Sequence, residues 1–133
     1  MTNSYYNIVE IGSTNTKAYT YINGLIKTCE FQNIEFKKNY LENNGIQLSD
    51  INKLATFIKN VYTDTSHTRI YGTSIFRQLK SKELFNFINE LSKQISFKSF
   101  EVVSANKESS LTSFGAINGF NTDENICVFI GGG

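Results

Sequence analysis

Apolar and polar positions follow two rhythms along this chain. Through residue 31 the apolar side chains come in short runs. Tyr5–Ile11 is dense in aromatic and β-branched residues and predicts a strand leading into Gly12-Ser13. Lys17–Ile22 alternates in part, with Tyr19 and Tyr21 on one face, and predicts a second strand. Asn23-Gly24 is the strongest short signal for a two-residue hairpin, and Leu25–Phe31 predicts the returning strand. The pattern is a three-stranded antiparallel meander whose first turn reads Gly-Ser-Thr-Asn-Thr.

The rhythm then becomes helical. Leu48, Ile51, Leu54, Ala55, Ile58 and Val61 fall at helical spacing, with Ser49 as the expected N-cap. Thr68–Tyr71 predicts a short strand ending at Gly72. Leu84, Phe87, Ile88, Leu91 and Ile95 mark a second helix, opened by Ser81. Phe100–Val103 predicts a further strand, Asn106–Asn118 a third helix, and Ile126–Ile130 a last strand running into Gly131-Gly132-Gly133. A meander followed by alternating helices and strands predicts an α/β fold, with a mixed sheet covered by helices.

Composition narrows the setting. A chain of 133 residues has a prior near one domain, and at this size buries roughly two-thirds of its unfolded surface. Its 13 basic and 12 acidic side chains nearly cancel. No run of like charge appears, so neither a nucleic-acid footprint nor a membrane patch is indicated. No apolar stretch approaches the ~18 residues of a membrane span, and Met1-Thr2-Asn3-Ser4 lacks the pattern of a signal peptide. The expectation is a soluble cytoplasmic protein in which Cys29 and Cys127 are reduced, mostly buried thiols.

Ligands of open α/β sheets sit at the carboxyl ends of strands, which points to four exits. In Glu10-Ile11-Gly12-Ser13-Thr14-Asn15-Thr16-Lys17, a glycine followed by hydroxyl and amide side chains suits a phosphate, and Glu10 suits a metal ion or a positioned water. The same residue types also build ordinary hairpin turns. In Tyr71-Gly72-Thr73-Ser74-Ile75-Phe76-Arg77, Ser74 is placed to cap a helix carrying Arg77 in its first turn. There Arg77 reads as a phosphate clamp or as a solvated surface residue. In Val103-Ser104-Ala105-Asn106-Lys107-Glu108, Glu108 reads either as a general base toward water or as a carboxylate favoured by a helix N-terminus. The fourth exit is Gly131–Gly133. His67 is the single histidine and reads as a surface residue, and no zinc constellation can be assembled.

The order of these motifs is more specific than any one of them. Glu10–Lys17 resembles the first phosphate motif of the acetate kinase–Hsp70–actin-like superfamily, Asp-x-Gly-Ser-x-Ser/Thr. Tyr71–Arg77 resembles the Ala-Thr-Ser-Ala-x-Arg motif of the exopolyphosphatase / guanosine pentaphosphate phosphohydrolase (Ppx/GppA) family. Val103–Glu108, with Leu111 and Gly115, is similar to that family's Ile-Ser-Gly-x-Glu-Glu-Ala-Arg-Leu segment. Phe129–Gly133 is similar to the start of its second phosphate motif, Asp-Ile-Gly-Gly-Gly-Ser. The resemblance spans essentially the whole chain.

It implies a ribonuclease H-like (actin-like ATPase) domain over residues 1–124, with a mixed five-stranded sheet of meander and parallel strands and helices on its faces. Residues 125–133 would be the first strand and glycine turn of a second domain, so that the chain is a fragment. The resemblance implies that Gly12, Ser13, Thr14, Asn15 and Thr16 hold a phosphate, that Arg77 clamps one, and that Glu108 orients or deprotonates the attacking water. Gly131, Gly132 and Gly133 would add backbone donors, and Glu10 would hold Mg²⁺ or Mn²⁺. The substrate would be inorganic polyphosphate or guanosine pentaphosphate, losing a terminal phosphate, and the bound partner polyphosphate or guanosine tetra- or pentaphosphate. Glu10 and Phe129 stand where the family has Asp, Ser110 replaces its Arg, and Lys107 replaces one Glu. A phenyl ring cannot ligate a metal, so Phe129 also fits a non-catalytic protein that binds nucleotide or polyphosphate. An ATP-using sugar kinase or dehydratase activator of the same superfamily is the third alternative.

The apolar strand Ile126–Ile130, lacking its native sheet, is expected to pair with its copy in a homodimer. Sedimentation at high concentration checks this: a strictly monomeric species counts against it.

Overall fold

The structure, a computed structural model, describes residues 5–104. Its second hairpin turns at Asn23 and Gly24, whose φ angles are 54° and 83°. Two positive φ values in a row are what a type I′ turn needs, and an Asn-Gly pair takes them at little cost. The turn joins β2 (Asn15–Ile22) to β3 (Leu25–Asn33), and β2 also pairs antiparallel with β1 (Tyr5–Ile11). Two helices follow, α1 (Phe36–Asn43) and α2 (Leu48–Val61), leading to β4 (Thr68–Gly72). A 3₁₀ helix (Ser74–Gln78) and α3 (Ser81–Ser92) then lead to β5 (Ser99–Val102). β4 lies parallel to β1, and β5 parallel to β4. The five strands form one mixed sheet in the order β3-β2-β1-β4-β5, as expected for an α/β fold of meander plus parallel strands.

The central strands are covered on both faces. Val9, Ile11, Ala18 and Ile70 face a core completed by Leu54 and Ile58 of α2 and Phe87 and Leu91 of α3, all fully buried or nearly so. The opposite face carries a second cluster, Tyr19, Tyr21 and Ile26, with Ile8 packed against it. Tyr19 and Tyr21 meet edge to face, 5.2 Å between ring centres, across a bulge that shifts the β2–β3 register. The Tyr62 hydroxyl, just past α2, donates to the Tyr19 carbonyl at 2.7 Å and so fastens the end of α2 to the sheet. Burial pushes the Tyr21 hydroxyl up to about 12. Tyr19 lies well above its ordinary value, through burial first and then the neighbouring Tyr21 and Glu10.

Four phenylalanines pack beneath the ends of the parallel strands. Phe76 of the 3₁₀ helix lies 5.3 Å from Phe36 of α1, 5.0 Å from Phe87 of α3 and 6.1 Å from Phe100 of β5, centre to centre and steeply tilted. Such pairs contribute about 0.5–1.5 kcal/mol each beyond the area they bury. Gly72 is what admits them. A Cβ there would stand 2.9 Å from the Phe76 Cβ and 3.0 Å from the Phe100 ring. Gly72 is therefore set by close approach and not by backbone conformation.

Several local expectations are corrected. α1 has no counterpart in the reading above, since its only buried side chain is Phe36 and no apolar stripe marks it. The N-cap of α2 is Gln47, two residues before the serine expected, whereas α3 opens at Ser81 as expected, with Lys80 as its N-cap. At α3 the reason is visible: Glu83 accepts the Lys80 backbone N–H at 3.0 Å, so the cap is set one residue before Ser81. Arg77 lies in the last turn of a 3₁₀ helix, and Ser74 is that helix's first residue rather than its cap. Cys29 is disulfide-bonded and not a reduced thiol, and Cys127 lies outside the described residues. The expected helix Asn106–Asn118, the strand Ile126–Ile130 and the domain boundary after residue 124 lie outside the described residues.

Two outcomes follow from this packing. Gly72→Ala should lower stability by about 1–3 kcal/mol, read as a lower urea midpoint. Phe76→Leu should restore part of that loss in the double variant, and an unchanged midpoint for Gly72→Ala refutes the close-approach account. A phenol whose pKa is raised on folding contributes stability that is complete below the unfolded value and lost as pH rises through the folded one. Stability should thus fall between about pH 10 and pH 12, and fall less steeply in Tyr21→Phe.

Candidate functional site

Three parallel strands end in one row. Ile11 pairs with Gly72, and Gly72 with Val102. The bonding continues one residue past the sheet. Thr73 donates its N–H to the Ile11 carbonyl at 2.8 Å and its hydroxyl to the same oxygen at 3.1 Å. Val103 donates its N–H to the Gly72 carbonyl at 2.9 Å. The exits of β1, β4 and β5 are therefore one hydrogen-bonded shelf, at the end of the sheet where α/β proteins bind ligands.

The turn after β1 borders this shelf. Gly12 donates its N–H to the Asn15 carbonyl at 2.9 Å, so that amide closes the hairpin. The Ser13 carbonyl accepts the Lys37 N–H at 3.1 Å, and the Thr14 carbonyl accepts the Ile34 N–H at 3.1 Å. The Asn33 side-chain amide also donates to the Thr14 carbonyl, at 2.9 Å. The turn is thus held through its carbonyls by the β3–α1 connection. Its hydroxyls are treated differently. Ser13 is 2% exposed and Thr16 0% exposed, and neither hydroxyl has a hydrogen-bond partner. Buried hydroxyls are nearly always satisfied; those of Ser13 in the turn and Thr16 near the start of β2 have donors to spare. Thr14 is half-buried and Asn15 exposed.

Arg77 reaches the same shelf from the other side. Its Nη1 donates to the Val103 carbonyl at 3.1 Å, while the residue remains exposed. β5 is two strand spacings, roughly 10 Å, from β1. The guanidinium and the Gly12–Thr16 turn therefore stand at one end of the sheet, flanking the exit of β4. Glu108 and Gly131–Gly133 lie outside the described residues, as does Phe129.

The structure adds one residue that the reading of single exits passed over. Lys17 pairs in register with Glu10 across β1 and β2, and both are 4% exposed. Opposite charges that are buried side by side offset part of each other's desolvation. Counting back from the turn puts these two residues opposite each other, so the hairpin register held the signal. The arrangement bears on a metal. Among the described residues no group of three His, Cys, Asp or Glu side chains could hold one. Glu10 fits only an ion whose remaining ligands come from phosphate and water, which is the usual habit of Mg²⁺. His67 is exposed, as expected. Among the described residues no helix is long and apolar enough to cross a membrane.

No family model matches the chain, and no curated protein does. Solved structures do. A Ppx/GppA family member from Aquifex aeolicus superposes with a TM-score of 0.65 at 12% identity, over 84% of this chain and 38% of that one. The type II variant of the Aquifex aeolicus Ppx/GppA phosphatase gives 0.65 at 11% identity, over 90% and 41%. An exopolyphosphatase from Cytophaga hutchinsonii gives 0.61 at 13% identity, over 86% and 38%. The chain spans about two-fifths of the length of these structures. What it shares with the Ppx/GppA structures is their actin-like fold, the one that the order of its motifs implies.

Proposed function

We propose that this chain is the first lobe of a Ppx/GppA-type phosphohydrolase, which releases terminal phosphate from inorganic polyphosphate or from guanosine pentaphosphate. The observation that carries the reading is the pair of buried, unpartnered hydroxyls of Ser13 and Thr16, beside a row of aligned strand exits. In this reading the two hydroxyls donate to phosphate oxygens. Arg77, which donates to the Val103 carbonyl, turns its guanidinium fork to an anionic oxygen, an acceptor that it can pair in bidentate fashion. Lys17 stands opposite Glu10 across the hairpin. Glu10 is the residue that would hold Mg²⁺ or Mn²⁺, and the ion would neutralise charge on the phosphates. Glu108 orients or deprotonates the attacking water, and Gly131–Gly133 contribute backbone donors. Phe129, where the family has Asp, favours a second reading in which the same groove binds polyphosphate without cleaving it.

The 133-residue chain should bind polyphosphate yet release phosphate with Mg²⁺ far more slowly than the ~10 s⁻¹ of an ordinary enzyme. Thr16→Val and Arg77→Gln should each weaken binding by about tenfold, in line with the loss of one or two good hydrogen bonds. Calorimetry with defined polyphosphate and a phosphate-release assay read both. Binding that is indifferent to both substitutions overturns the proposal. Binding without cleavage in a longer chain that includes the second lobe selects the non-catalytic reading.

A further inference from the structure

A second concavity lies on the helical layer. It occupies about 410 Å³ between the α1–α2 connection and α3. Its apolar part is Ile46, Leu48, Ile51 and Phe87, and its carboxylates are Glu83 and Glu90; no lysine or arginine among the described residues lines it. Glu83, Phe87 and Glu90 share one face of α3. The two carboxylates therefore stand two turns apart, roughly 10 Å along the axis, with an aromatic ring between them. Leu48 belongs to the apolar stripe of α2 by spacing, yet it is 54% exposed and opens onto this groove.

We propose that the groove seats a basic amphipathic helix of a partner protein. A leucine-sized side chain packs against Leu48 and Ile46, the open apolar wall, and flanking lysine or arginine side chains reach Glu83 and Glu90. Charge complementarity carries the choice of occupant, because the described walls offer two carboxylates and, apart from the Lys93 that Glu90 meets, no cation. Helix-in-groove recognition uses this combination of an apolar anchor and flanking charge. Glu83 is positioned in advance: its carboxylate accepts the Tyr40 hydroxyl at 2.8 Å and the Lys80 N–H at 3.0 Å. These bonds hold the Glu83 carboxyl below its ordinary value, so it is charged at neutral pH. Glu90 meets Lys93 at 3.1 Å in an exposed pair, a weak contact that an incoming cation readily exchanges.

The test uses the 133-residue chain and a synthetic helical peptide of leucines and lysines, with a leucine–glutamate peptide as its counterpart. Fluorescence anisotropy should show saturable binding of the lysine peptide alone. Amide shifts in NMR spectra should cluster at residues 44–51 and 83–90. Glu90→Lys and Leu48→Ser should each weaken binding by about tenfold or more, whereas Glu101→Lys, an exposed acid on β5, should not. Circular dichroism confirms that the variants fold. Equal binding of both peptides, indifference to Glu90→Lys and Leu48→Ser, or shifts centred on the strand exits would each refute the proposal.

Discussion

Everything at the strand exits depends on one missing methyl group. Gly72 ends β4 between Ile11 and Val102, and its bare Cα lets Phe76 and Phe100 come within about 3 Å of where a side chain would begin. Because Phe76 can settle there, the 3₁₀ helix lies flat beneath the exit. That placement carries Arg77 to the Val103 carbonyl. The same row lets Thr73 and Val103 continue the sheet's bonding beyond its strands. A bulkier residue would move the 3₁₀ helix, and with it the guanidinium. Packing and site geometry are the same constraint seen from two sides of the backbone.

The turn after β1 shows the opposite economy. Its backbone carbonyls are fully engaged by Lys37, Ile34 and Asn33, which holds its shape, while two of its hydroxyls are buried without partners. A rigid frame around unsatisfied donors is what preorganised anion recognition requires, since little ordering remains to be done on binding. Glu10 and Lys17 lie opposite each other in the adjoining strands a few residues away, both buried.

The two concavities divide the molecule by chemistry. The strand exits gather hydroxyls and a guanidinium, which suit an anion. The groove between the α1–α2 connection and α3 gathers carboxylates around apolar side chains, which suit a cation with a hydrocarbon stem. Both are served by α3 and the segments around it: the residues that precede α3 hold Arg77, and one face of α3 lines the groove.

Local chemistry was enough to specify the meander, the Asn23-Gly24 turn, α2, α3 and the alternation that makes the fold α/β, because each is written in neighbouring residues: a period, a turn dipeptide, an apolar stripe. It also pointed to Ser13, Thr16 and Arg77 as chemistry at strand exits. It did not reveal α1, whose single buried anchor leaves no periodic trace. It mistook the helix bearing Arg77, since a five-residue 3₁₀ helix has too few positions to show a period. Which partner Arg77 takes, that Lys17 faces Glu10 inside the protein, that Leu48 faces outward and that Cys29 is bridged were decided only in three dimensions. Each depends on what segments distant along the chain bring within a few ångströms, and no local pattern encodes that distance.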